Sequence, residues 1–510
     1  MKTKVKARYV IGFHENDHAI LQDAEIVYEG DTILYVGFDY PHPVNHVIDA
    51  GNAIISPGFI DLNALGDVDH ELVHNEHPNP LNLLWSEAYY QAGPRQFFTP
   101  HEEAFKSLYA YVHLIRNGIT TAMPITSVFY KQWAETYEEL EAALHHAGQF
   151  GLRIYLGPSY QAGMRVVRSN SSIEVMWQEA LGKAGLQRAV NFVKEFDGSY
   201  DGLVHGMLAP ERIETQTPEL LQETRRYADE LGCPVRLHAA QGEYEYFEIQ
   251  RRHQKTPIRY LYDLGFLGPM ISIPHMIYVD GFSKTGNHRQ SEDLELVKET
   301  RTTAIHCPIV MAQHAEFMET FSRYKRKGVR LALGTDTFPP DIIMNIRLGS
   351  YISRILEGST SDCTFADYFR SATLGGARAL NRADLGKLAP GAKADMIIID
   401  MSGFHLGPQD DPIRTFMISG SGRDIHTSII NGKVVMQNRQ IAGIDLDALQ
   451  IQGQAYYQKL RETYRDRATQ KLPEEQFFPA SFRTFTRGRV SEERYPVSPI
   501  NNFQEGETTK

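Results

Sequence analysis

Hydrophobic and polar residues follow a strand-like pattern through about the first fifty residues of the chain. Short runs rich in β-branched and aromatic residues are separated by turn residues, and no helical period competes with them. The pattern predicts one sheet layer of a small β domain. Its strands are predicted over residues 6–12, 19–29, 32–38 and 47–55.

Beyond residue 56 the pattern changes to short apolar runs that alternate with helical stretches. One helix is predicted to begin after Thr99, because Pro100 occupies the first helical position and Glu102 completes a capping box. Its apolar residues fall on one face, and a glycine ends it. The stretch 217–232 repeats this arrangement, with Thr-Pro-Glu at its start and glycine at its end.

Eight apolar runs in the same part of the chain are interpreted as strands, most of them separated by helical patterns. Alternating β/α units of this number and length fit a TIM barrel, so the predicted fold class is α/β with a distorted (β/α)8 barrel. The runs are the one ending at Asp61 and those at 119–123, 152–156, 203–208, 234–237, 271–273, 303–305 and 329–333.

A strand-like pattern returns near the end of the chain, at 394–400 and 425–435. The second of these segments contains Asn431-Gly432, a dipeptide typical of tight hairpin turns. A small β-sandwich domain built from both ends of the chain and flanking the barrel is therefore predicted.

The predicted domain bounds follow from these changes of pattern. Residues 1–56 and 385–450 form the composite β-sandwich, and residues 57–384 form the barrel. Residues 451–510 begin helical and charged and end polar, which predicts an arm over a neighbouring surface or subunit with a disordered tip. Such an arm favours a homodimer or larger homo-oligomer.

Charge and composition narrow the classes of partner. A net charge of −11 argues against broad binding to nucleic acids or anionic membranes. No run is long and apolar enough to span a bilayer, and no signal peptide is visible. Three scattered cysteines are too few for a disulfide framework or a thiolate zinc cluster. These features predict a soluble cytoplasmic protein.

Candidate chemistry lies at the ends of three predicted barrel strands. His238, His275 and Asp336 each end a short apolar run. Because the carboxyl ends of barrel strands converge on one pocket, the three side chains are expected to share a site. Neutral imidazole and carboxylate suit one divalent ion, either zinc, iron or manganese, with open positions for water and substrate.

Sequence motifs accompany these residues along most of the chain. They are Ile55-Ser56-Pro57-Gly58-Phe59-Ile60-Asp61 where the barrel begins, His238-Ala239-Ala240, His275, His306-Cys307-Pro308, Leu333-Gly334-Thr335-Asp336, and the segments 372–380 and 385–395 where the barrel ends. Together they resemble the amidohydrolase superfamily, and within it the chlorohydrolase and cytosine-deaminase-like branch. The resemblance implies the same distorted barrel and the same composite β-sandwich.

The resemblance also implies roles for individual residues. In that branch two histidines on strand one, spaced i and i+2, bind one metal ion together with the strand-five histidine and the strand-eight aspartate. By resemblance, His238 and Asp336 are metal ligands, His275 is a ligand or positions the attacking water, and Asp336 takes a proton from that water. A glutamate three residues after the strand-five histidine carries protons to the leaving group.

The chain departs from this pattern at three positions. Asn63 and Leu65 occupy the positions of the strand-one histidines, where leucine cannot ligate and asparagine offers only a weak amide oxygen. Gln241 occupies the position of the glutamate, and an amide cannot exchange a proton at working pH. Asn63 and Gln241 are therefore expected to give polar support, with Gln241 as a candidate catalytic residue.

Three interpretations of the metal site remain open at this stage. His238, His275 and Asp336 form the site on their own, or further ligands come from the loop after strand one, or no metal binds. Glu211 and His306, together with Asn63, are candidate substrate-binding residues; Glu211 occupies a position where related sequences often have a substrate-facing histidine. The candidate loop ligands are Asp67, Asp69, His70, His74, Glu76 and His77.

The favoured function is a metal-dependent hydrolase that acts on a C–N or C–halogen bond of a small cyclic or aromatic substrate through a metal-activated water. One alternative is a barrel that has lost catalysis and binds a small molecule or regulates a partner. Another is a non-hydrolytic metal enzyme, a lyase or redox enzyme, that uses a two-histidine, one-carboxylate site.

Overall fold

The computed structural model describes residues 1–68, 79–93, 97–125, 135–286 and 292–483. The described part of the chain is an α/β protein, as predicted. Its strands are β1 Lys2–His14, β2 Asp17–Glu29, β3 Thr32–Gly37, β4 His46–Asp49, β5 Ala53–Pro57, β6 Phe59–Leu65, β7 Trp85–Ser86, β8 Ile119–Ile125, β9 Arg153–Leu156, β10 Ser159–Tyr160, β11 Gly163–Val167, β12 Ile173–Trp177, β13 Val204–Gly206, β14 Ala209–Pro210, β15 Val235–Arg236, β16 Ile271–Pro274, β17 Thr303–His306, β18 Arg330–Leu333, β19 Met396–Asp400, β20 Ile425–Ile430 and β21 Lys433–Met436.

Helices follow most of the strands between β6 and β19. They are α1 Glu87–Gln91, α2 Pro100–Arg116, α3 Tyr137–Phe150, α4 Glu179–Phe196, α5 Ser199–Gly202, α6 Pro218–Leu231, α7 Glu243–His253, α8 Pro257–Asp263, α9 Glu292–Thr300, α10 Pro308–Gln313, α11 Phe321–Lys327, α12 Ile342–Glu357, α13 Phe365–Arg370, α14 Gly376–Ala379, α15 Pro412–Ser419, α16 Leu446–Arg467 and α17 Glu474–Phe477.

Both ends of the chain contribute strands to one sheet. Its order is β21-β20-β19-β5-β1-β2-β3, with β4 paired to β1 beside β5. The prediction of a single strand over residues 47–55 is wrong, because the chain bends between β4 and β5, where Gly51 has φ 60°. Both short strands still pair in parallel with β1. The sheet thus combines strands from both ends of the chain. The bounds of the composite domain remain a prediction.

The hairpin between β20 and β21 turns at the predicted dipeptide. Asn431 and Gly432 have φ values of 51° and 74°, the left-handed conformation that a two-residue hairpin loop needs at both positions. A Cβ atom on Gly432 would also lie 1.8 Å from the carbonyl oxygen of Gly30. Glycine is therefore required here both by the backbone conformation and by the close approach of the neighbouring turn.

Two parallel half-sheets carry the strands predicted for the barrel. The first has the order β13-β9-β8-β6 and the second the order β15-β16-β17-β18. Where they meet, Leu208 pairs in parallel with Val235. On the other side the Asp336 amide donates to the Asn63 carbonyl oxygen over 2.8 Å. The half-sheets thus contact each other at both of their outer edges, and their carboxyl ends face the same region.

The helix starts that were read from the sequence are confirmed. Thr99 Oγ1 accepts from the Glu102 amide, and the Glu102 carboxylate accepts from the Thr99 amide, so the capping box before α2 is complete. Thr217 caps α6 in a similar position, and Gly232 ends it with φ 64°.

A buried ion pair joins the parallel strands to the composite sheet. Arg153 on β9 donates to both carboxylate oxygens of Asp395, over 3.1 and 3.2 Å, and both side chains are at most 5% exposed. Arg153 also donates to the side chain of Asn431 and the carbonyl of Gly202. A guanidinium with this many partners fixes the position of β9 against the turn before β19.

The C-terminal segment begins with α16, which packs on its own chain. Tyr456 lies edge-on to Phe105 of α2 with ring centroids 4.6 Å apart, and Lys459 pairs with Glu102 over 2.8 Å. Leu460, Tyr464, Ala468 and Phe477 bury their apolar parts against Leu83 and Phe98. The predicted disordered tip lies outside the described residues.

A three-stranded sheet that the sequence did not predict lies beside the carboxyl ends of the parallel strands. Its order is β12-β11-β7, and it joins the segment after β9 to the segment before α1. In the part of the chain that the structure describes, no helix has both the length and the apolar character needed to cross a membrane.

Candidate active site

Three candidate residues stand within three positions of the ends of strands of one half-sheet. His238 follows β15, His275 follows β16 and Asp336 follows β18. His275 and Asp336 have φ values of 68° and 47°, which non-glycine residues rarely adopt. Such conformations cost about 1–3 kcal/mol each and are concentrated at functional sites. The backbone thus departs from regular strand geometry at the two positions where the side chains turn into the site.

His275 and Asp336 form the centre of the site. The Nε2 atom of His275 lies 3.3 Å from Oδ2 of Asp336, and the histidine is fully buried. The ring of His238 stacks beside that of His275, with centroids 5.7 Å apart. The structure therefore brings together all three residues predicted to form the metal site.

Cys307, directly after β17, joins this group. One potential ligand atom from each of His275, Cys307 and Asp336 lies within 4.8 Å of the others, and all three residues are buried. Burial, with Asp336 and Asp61 close by, raises the pKa of the Cys307 thiol well above its usual range. His238 does not belong to that tightest group.

The tautomer of His238 is set by the backbone. Its Nδ1 atom lies 3.0 Å from the carbonyl oxygen of Glu211, which can only accept, so Nδ1 carries the proton. Burial lowers the pKa of His238 well below its ordinary value, and the charges of Arg212, His275 and Arg236 act in the same direction. The lowered pKa favours the neutral ring, in which the Nε2 lone pair can act as a ligand or acceptor.

β6 supplies the residues that replace the strand-one histidines. Asn63 is fully buried; its Nδ2 atom points to the sulfur of Cys307 over 3.9 Å, and its Oδ1 atom makes no hydrogen bond to any described residue. Leu65 is also buried. A Cβ atom on Gly334 would lie 2.6 Å from that of Asn63, so glycine lets β18 approach this position.

Asp61 ties β6 to the end of β18. Its two carboxylate oxygens accept from the amide and the hydroxyl of Thr335 over 3.0 and 2.6 Å, and one of them accepts from the Asn63 amide. Complete burial raises the pKa of Asp61 from 3.8 to about 6, although these hydrogen bonds oppose the shift.

The raised pKa of Asp61 predicts that its contribution to the free energy of unfolding falls as the pH rises. Because the folded-state pKa, about 6, exceeds the ordinary value of 3.8, native Asp61 keeps its proton where the unfolded chain has lost it. Its contribution to the free energy of unfolding is complete below about pH 4 and is lost through about pH 6, an effect of about 3 kcal/mol.

The variant Asp61→Asn removes the titration. Urea unfolding of the metal-free form of both proteins from about pH 4 to about pH 7 should show the wild-type protein losing stability relative to the variant. A difference that is constant or rises with pH contradicts the assignment.

Gln241 is held by the polar groups around it. Its Oε1 atom accepts from Arg212, and its Nε2 atom lies 3.9 Å from the sulfur of Met311. The Glu245 carboxylate accepts from the backbone amides of Ala240 and Gln241, and burial, with Glu214 close by, raises the pKa of Glu245. The amide of Gln241 is thus oriented by its neighbours, and its predicted supporting role stays a prediction.

Glu211 lines a small cavity beside the centre of the site. Its carboxylate pairs with the Arg212 guanidinium over 3.2 Å, and burial raises its pKa. The side chains around the cavity include one indole, one carboxyl, two guanidinium groups and one amide. Its lining residues are Leu84, Trp85, Gln161, Met164, Arg165, Glu211, Arg212 and Thr215.

His306 occupies a different environment from the other candidates. It is fully buried, and its ring lies edge-on to Phe317 with centroids 4.9 Å apart and near Phe321 and Tyr368. Burial lowers its pKa to about 3. This apolar packing is typical of a core histidine, and its predicted contact with substrate stays a prediction.

Arg236 and Cys307 are examples of residues near the site that were not among the candidates from the sequence. Arg236 on β15 is buried and donates to the carbonyl oxygens of Met123 and Pro124 over 2.7 and 3.2 Å, which places a cation among the parallel strands. Cys307 was noted only as part of a motif. Its position directly after a barrel strand was the signal that could have identified it.

The loop after β6 was a possible source of further metal ligands. Of its candidates, Asp67 is described and buried. The remaining ones, Asp69, His70, His74, Glu76 and His77, lie outside the described residues.

Comparison with known families decides the classification. Residues 54–435, well over half of the chain, match the model of the Amidohydrolase family. The chain belongs to the amidohydrolase family. The resemblance of the motifs at the strand ends is thereby confirmed.

Two curated relatives of this amidohydrolase show the class of reaction. The 5'-deoxyadenosine deaminase of Methanosarcina acetivorans is 26% identical over 448 residues, which are 86% of this chain and 94% of the relative. The 5-methylthioadenosine/S-adenosylhomocysteine deaminase of Pelotomaculum thermopropionicum is 26% identical over 460 residues, 89% of this chain and 97% of the relative. Deaminases hydrolyse carbon–nitrogen bonds other than peptide bonds, and these relatives confirm the predicted class of enzyme.

Solved structures of other proteins share the fold. An adenosine deaminase from Xanthomonas campestris with bound zinc superposes with a TM-score of 0.70 at 19% identity, over 91% of this chain and 98% of that structure. An atrazine chlorohydrolase from Arthrobacter aurescens complexed with zinc gives 0.71 at 18% identity, over 89% and 100%. At this identity the likeness establishes the fold alone, an α/β fold of TIM-barrel type.

Proposed function

We propose that this amidohydrolase hydrolyses a carbon–nitrogen bond of a small cyclic substrate and that it depends on a divalent metal ion. The observation that carries the proposal is the buried pair of His275 and Asp336, 3.3 Å apart at the carboxyl ends of neighbouring parallel strands, with His238 stacked beside it. By the resemblance of the motifs, each of these residues corresponds to a position proposed for metal or water chemistry.

The donor atoms at this position fit a metal ion. Both ring nitrogens of His275 and the Oδ1 atom of Asn63 are buried, and neither residue satisfies these atoms with a hydrogen bond inside the described part of the chain. Buried polar atoms without partners cost free energy, and a cation bound among them would remove that cost. His238, His275 and Asp336 would hold the ion, and imidazole with carboxylate accepts zinc, iron or manganese.

The reaction needs a nucleophilic water and a path for its proton. A divalent ion at this position supplies Lewis acidity, which makes water nucleophilic at neutral pH. Asp336 Oδ2 would accept the proton of the attacking water as the C–O bond forms and return it to the amine nitrogen as the C–N bond breaks, so that ammonia leaves. His275 Nε2 lies 3.3 Å from the same carboxylate oxygen. Gln241 cannot carry the proton onward, so its role is to orient the substrate through an amide that Arg212 holds in place.

The substrate is proposed to be a purine nucleoside or a similar heterocycle with an exocyclic amine. The relatives are named for deamination of 5'-deoxyadenosine and of 5-methylthioadenosine or S-adenosylhomocysteine. Beside the site, the Glu211 carboxyl at the edge of the small cavity would be a hydrogen-bond partner for part of such a substrate.

Metal content and ammonia release test the proposal together. Protein purified without chelator or added metal is expected to contain close to one equivalent of a transition metal by elemental mass spectrometry. It is expected to release ammonia from at least one member of an adenine nucleoside panel. The variants His238→Ala and Asp336→Ala should lose most of the metal, because each removes a proposed ligand. His145→Ala, on the half-exposed side of α3, is the matched control and should retain it.

The outcomes separate the candidate functions. Metal without hydrolysis of any nucleoside, together with oxygen-dependent turnover, would favour the redox alternative. A well-folded protein that takes up no metal and only binds ligands would overturn the proposal in favour of a non-catalytic binding protein.

We further propose that the two half-sheets form one closed, distorted (β/α)8 barrel over residues 57–384, with residues 1–56 and 385–450 as the composite domain. The contacts at both outer edges of the half-sheets support closure. A homo-oligomer is also proposed. A reducing, cytoplasmic environment is proposed because Cys233, Cys307 and Cys363 are all free and buried.

A further inference from the structure

The proposed metal site lacks the donors that its family pattern takes from strand one. By that pattern four side chains hold the ion, and this chain keeps His238 and Asp336 of the four. Leu65 offers no donor atom, and the amide oxygen of Asn63 is a weak one. A functional site would therefore need donors from other strands.

We propose that the Cys307 thiolate is a metal ligand that, with His275, replaces the missing strand-one histidines. This assignment rests on the proposed function for the presence of the ion. It changes the donor set to two imidazoles, one carboxylate and one thiolate, from residues after β15, β16, β17 and β18. The four consecutive strands of one half-sheet would then supply the whole site.

The geometry of the group supports Cys307 as a donor. Its Sγ atom lies within 4.8 Å of ligand atoms of both His275 and Asp336. His275 is fully buried, and neither of its ring nitrogens makes a hydrogen bond to a described residue. A fully buried imidazole that makes no hydrogen bond within the described part of the chain, with a buried carboxylate 3.3 Å from its Nε2 atom and a buried sulfur close by, indicates a common partner for all three.

Asn63 gives a second, independent indication. Its Nδ2 group points to the sulfur of Cys307 over 3.9 Å. An amide N–H donor suits a thiolate, which accepts hydrogen bonds, and such contacts orient a ligand sulfur and tune the ion that it binds. Asn63, which replaces the first histidine, would then orient the new ligand by a hydrogen bond to its sulfur.

The other two cysteines provide an internal comparison. Cys233 and Cys363 are buried as Cys307 is. Neither belongs to a group of potential ligands in the described residues, where His275, Cys307 and Asp336 form the one such group. Burial alone therefore does not single out Cys307; its acidic and imidazole neighbours do.

Cobalt substitution tests the assignment without relying on activity. The metal-free protein is reconstituted with Co²⁺, and its near-ultraviolet absorption is recorded. A thiolate ligand gives a sulfur-to-cobalt charge-transfer band that imidazole and carboxylate ligands do not give. We expect the band in wild-type protein and in the controls Cys233→Ser and Cys363→Ser, and its loss in Cys307→Ser. Competition with a chromophoric chelator should show Co²⁺ affinity at least about tenfold lower in Cys307→Ser.

Each result bears on a distinct claim. Stoichiometric cobalt without the charge-transfer band, or a band that persists in Cys307→Ser, overturns the role of Cys307 and leaves the proposed hydrolase intact. A band with no hydrolysis supports the ligand and counts against the proposed function. No cobalt uptake by folded wild-type protein overturns both. If Cys307→Ser does not fold, Cys307→Ala takes its place. The variant Asn63→Ala, which removes the amide donor, is then expected to change the wavelength of the band. An unchanged wavelength in folded Asn63→Ala contradicts the contact between the amide and the thiolate.

Discussion

Replacement of Asp336 by asparagine is expected to lower kcat/KM for ammonia release by about 10³-fold, the typical contribution of a positioned proton acceptor. The carboxylate faces His275 Nε2 at 3.3 Å, and no other described carboxylate belongs to the group of potential metal ligands. An asparagine has nearly the same shape but cannot accept a proton at working pH and is a poorer ligand. The loss should appear in kcat as well as in kcat/KM, because the interaction matters in the transition state.

The matched control is Asp410→Asn. Asp410 is 93% exposed and pairs with Arg414 on the surface, so its replacement should leave the kinetic constants unchanged. Thermal unfolding of both variants checks that the fold is retained. An Asp336→Asn protein with more than about a tenth of wild-type kcat/KM would show that the catalytic carboxylate lies elsewhere.

Replacement of Arg153 by methionine is expected to lower the free energy of unfolding by about 3–5 kcal/mol. The substitution leaves the Asp395 carboxylate buried without its cation and removes the hydrogen bonds to Asn431 and Gly202. Because these contacts connect the parallel strands with the composite sheet, the loss should separate the unfolding of the two parts. Urea unfolding monitored by tryptophan fluorescence and by circular dichroism measures both effects.

Two further variants distinguish the buried pair from a surface effect. Arg414→Met removes an ion pair between side chains that are 61% and 93% exposed, and its cost should stay below about 1 kcal/mol. The double variant Arg153→Met with Asp395→Asn should be less destabilised than the sum of its parts, since no unpaired charge is left buried. Strict additivity would mean that the two side chains do not interact in solution.

Much of the fold could be predicted because the signals are local. The capping residues before α2 and α6 and the turn between β20 and β21 act within a few residues of the chain, where sequence and conformation are closely linked. The division of residues 47–55 into two strands and the sheet of β7, β11 and β12 were missed. Both depend on pairing with strands that are distant in sequence.

The candidate site was predicted in part for a similar reason. His238, His275 and Asp336 could be expected to meet because parallel strands of one sheet end at the same edge. The sequence could not show that His306 turns into an aromatic core while Cys307, the next residue, turns toward the site. Which of two neighbouring side chains faces the site depends on where the strand ends and on what packs against it.

The sequence by itself determined the family, the alternation of strands and helices in the main part of the chain, and the strand ends at which chemistry is possible, because motifs, caps and hydrophobic periodicity lie in consecutive residues. Only the tertiary structure decided which donors lie within reach of one another, that Arg212 holds Gln241, and that Asn63 faces the sulfur of Cys307. These relations join residues up to 244 positions apart. They arise from side-chain packing in three dimensions, which no local pattern specifies.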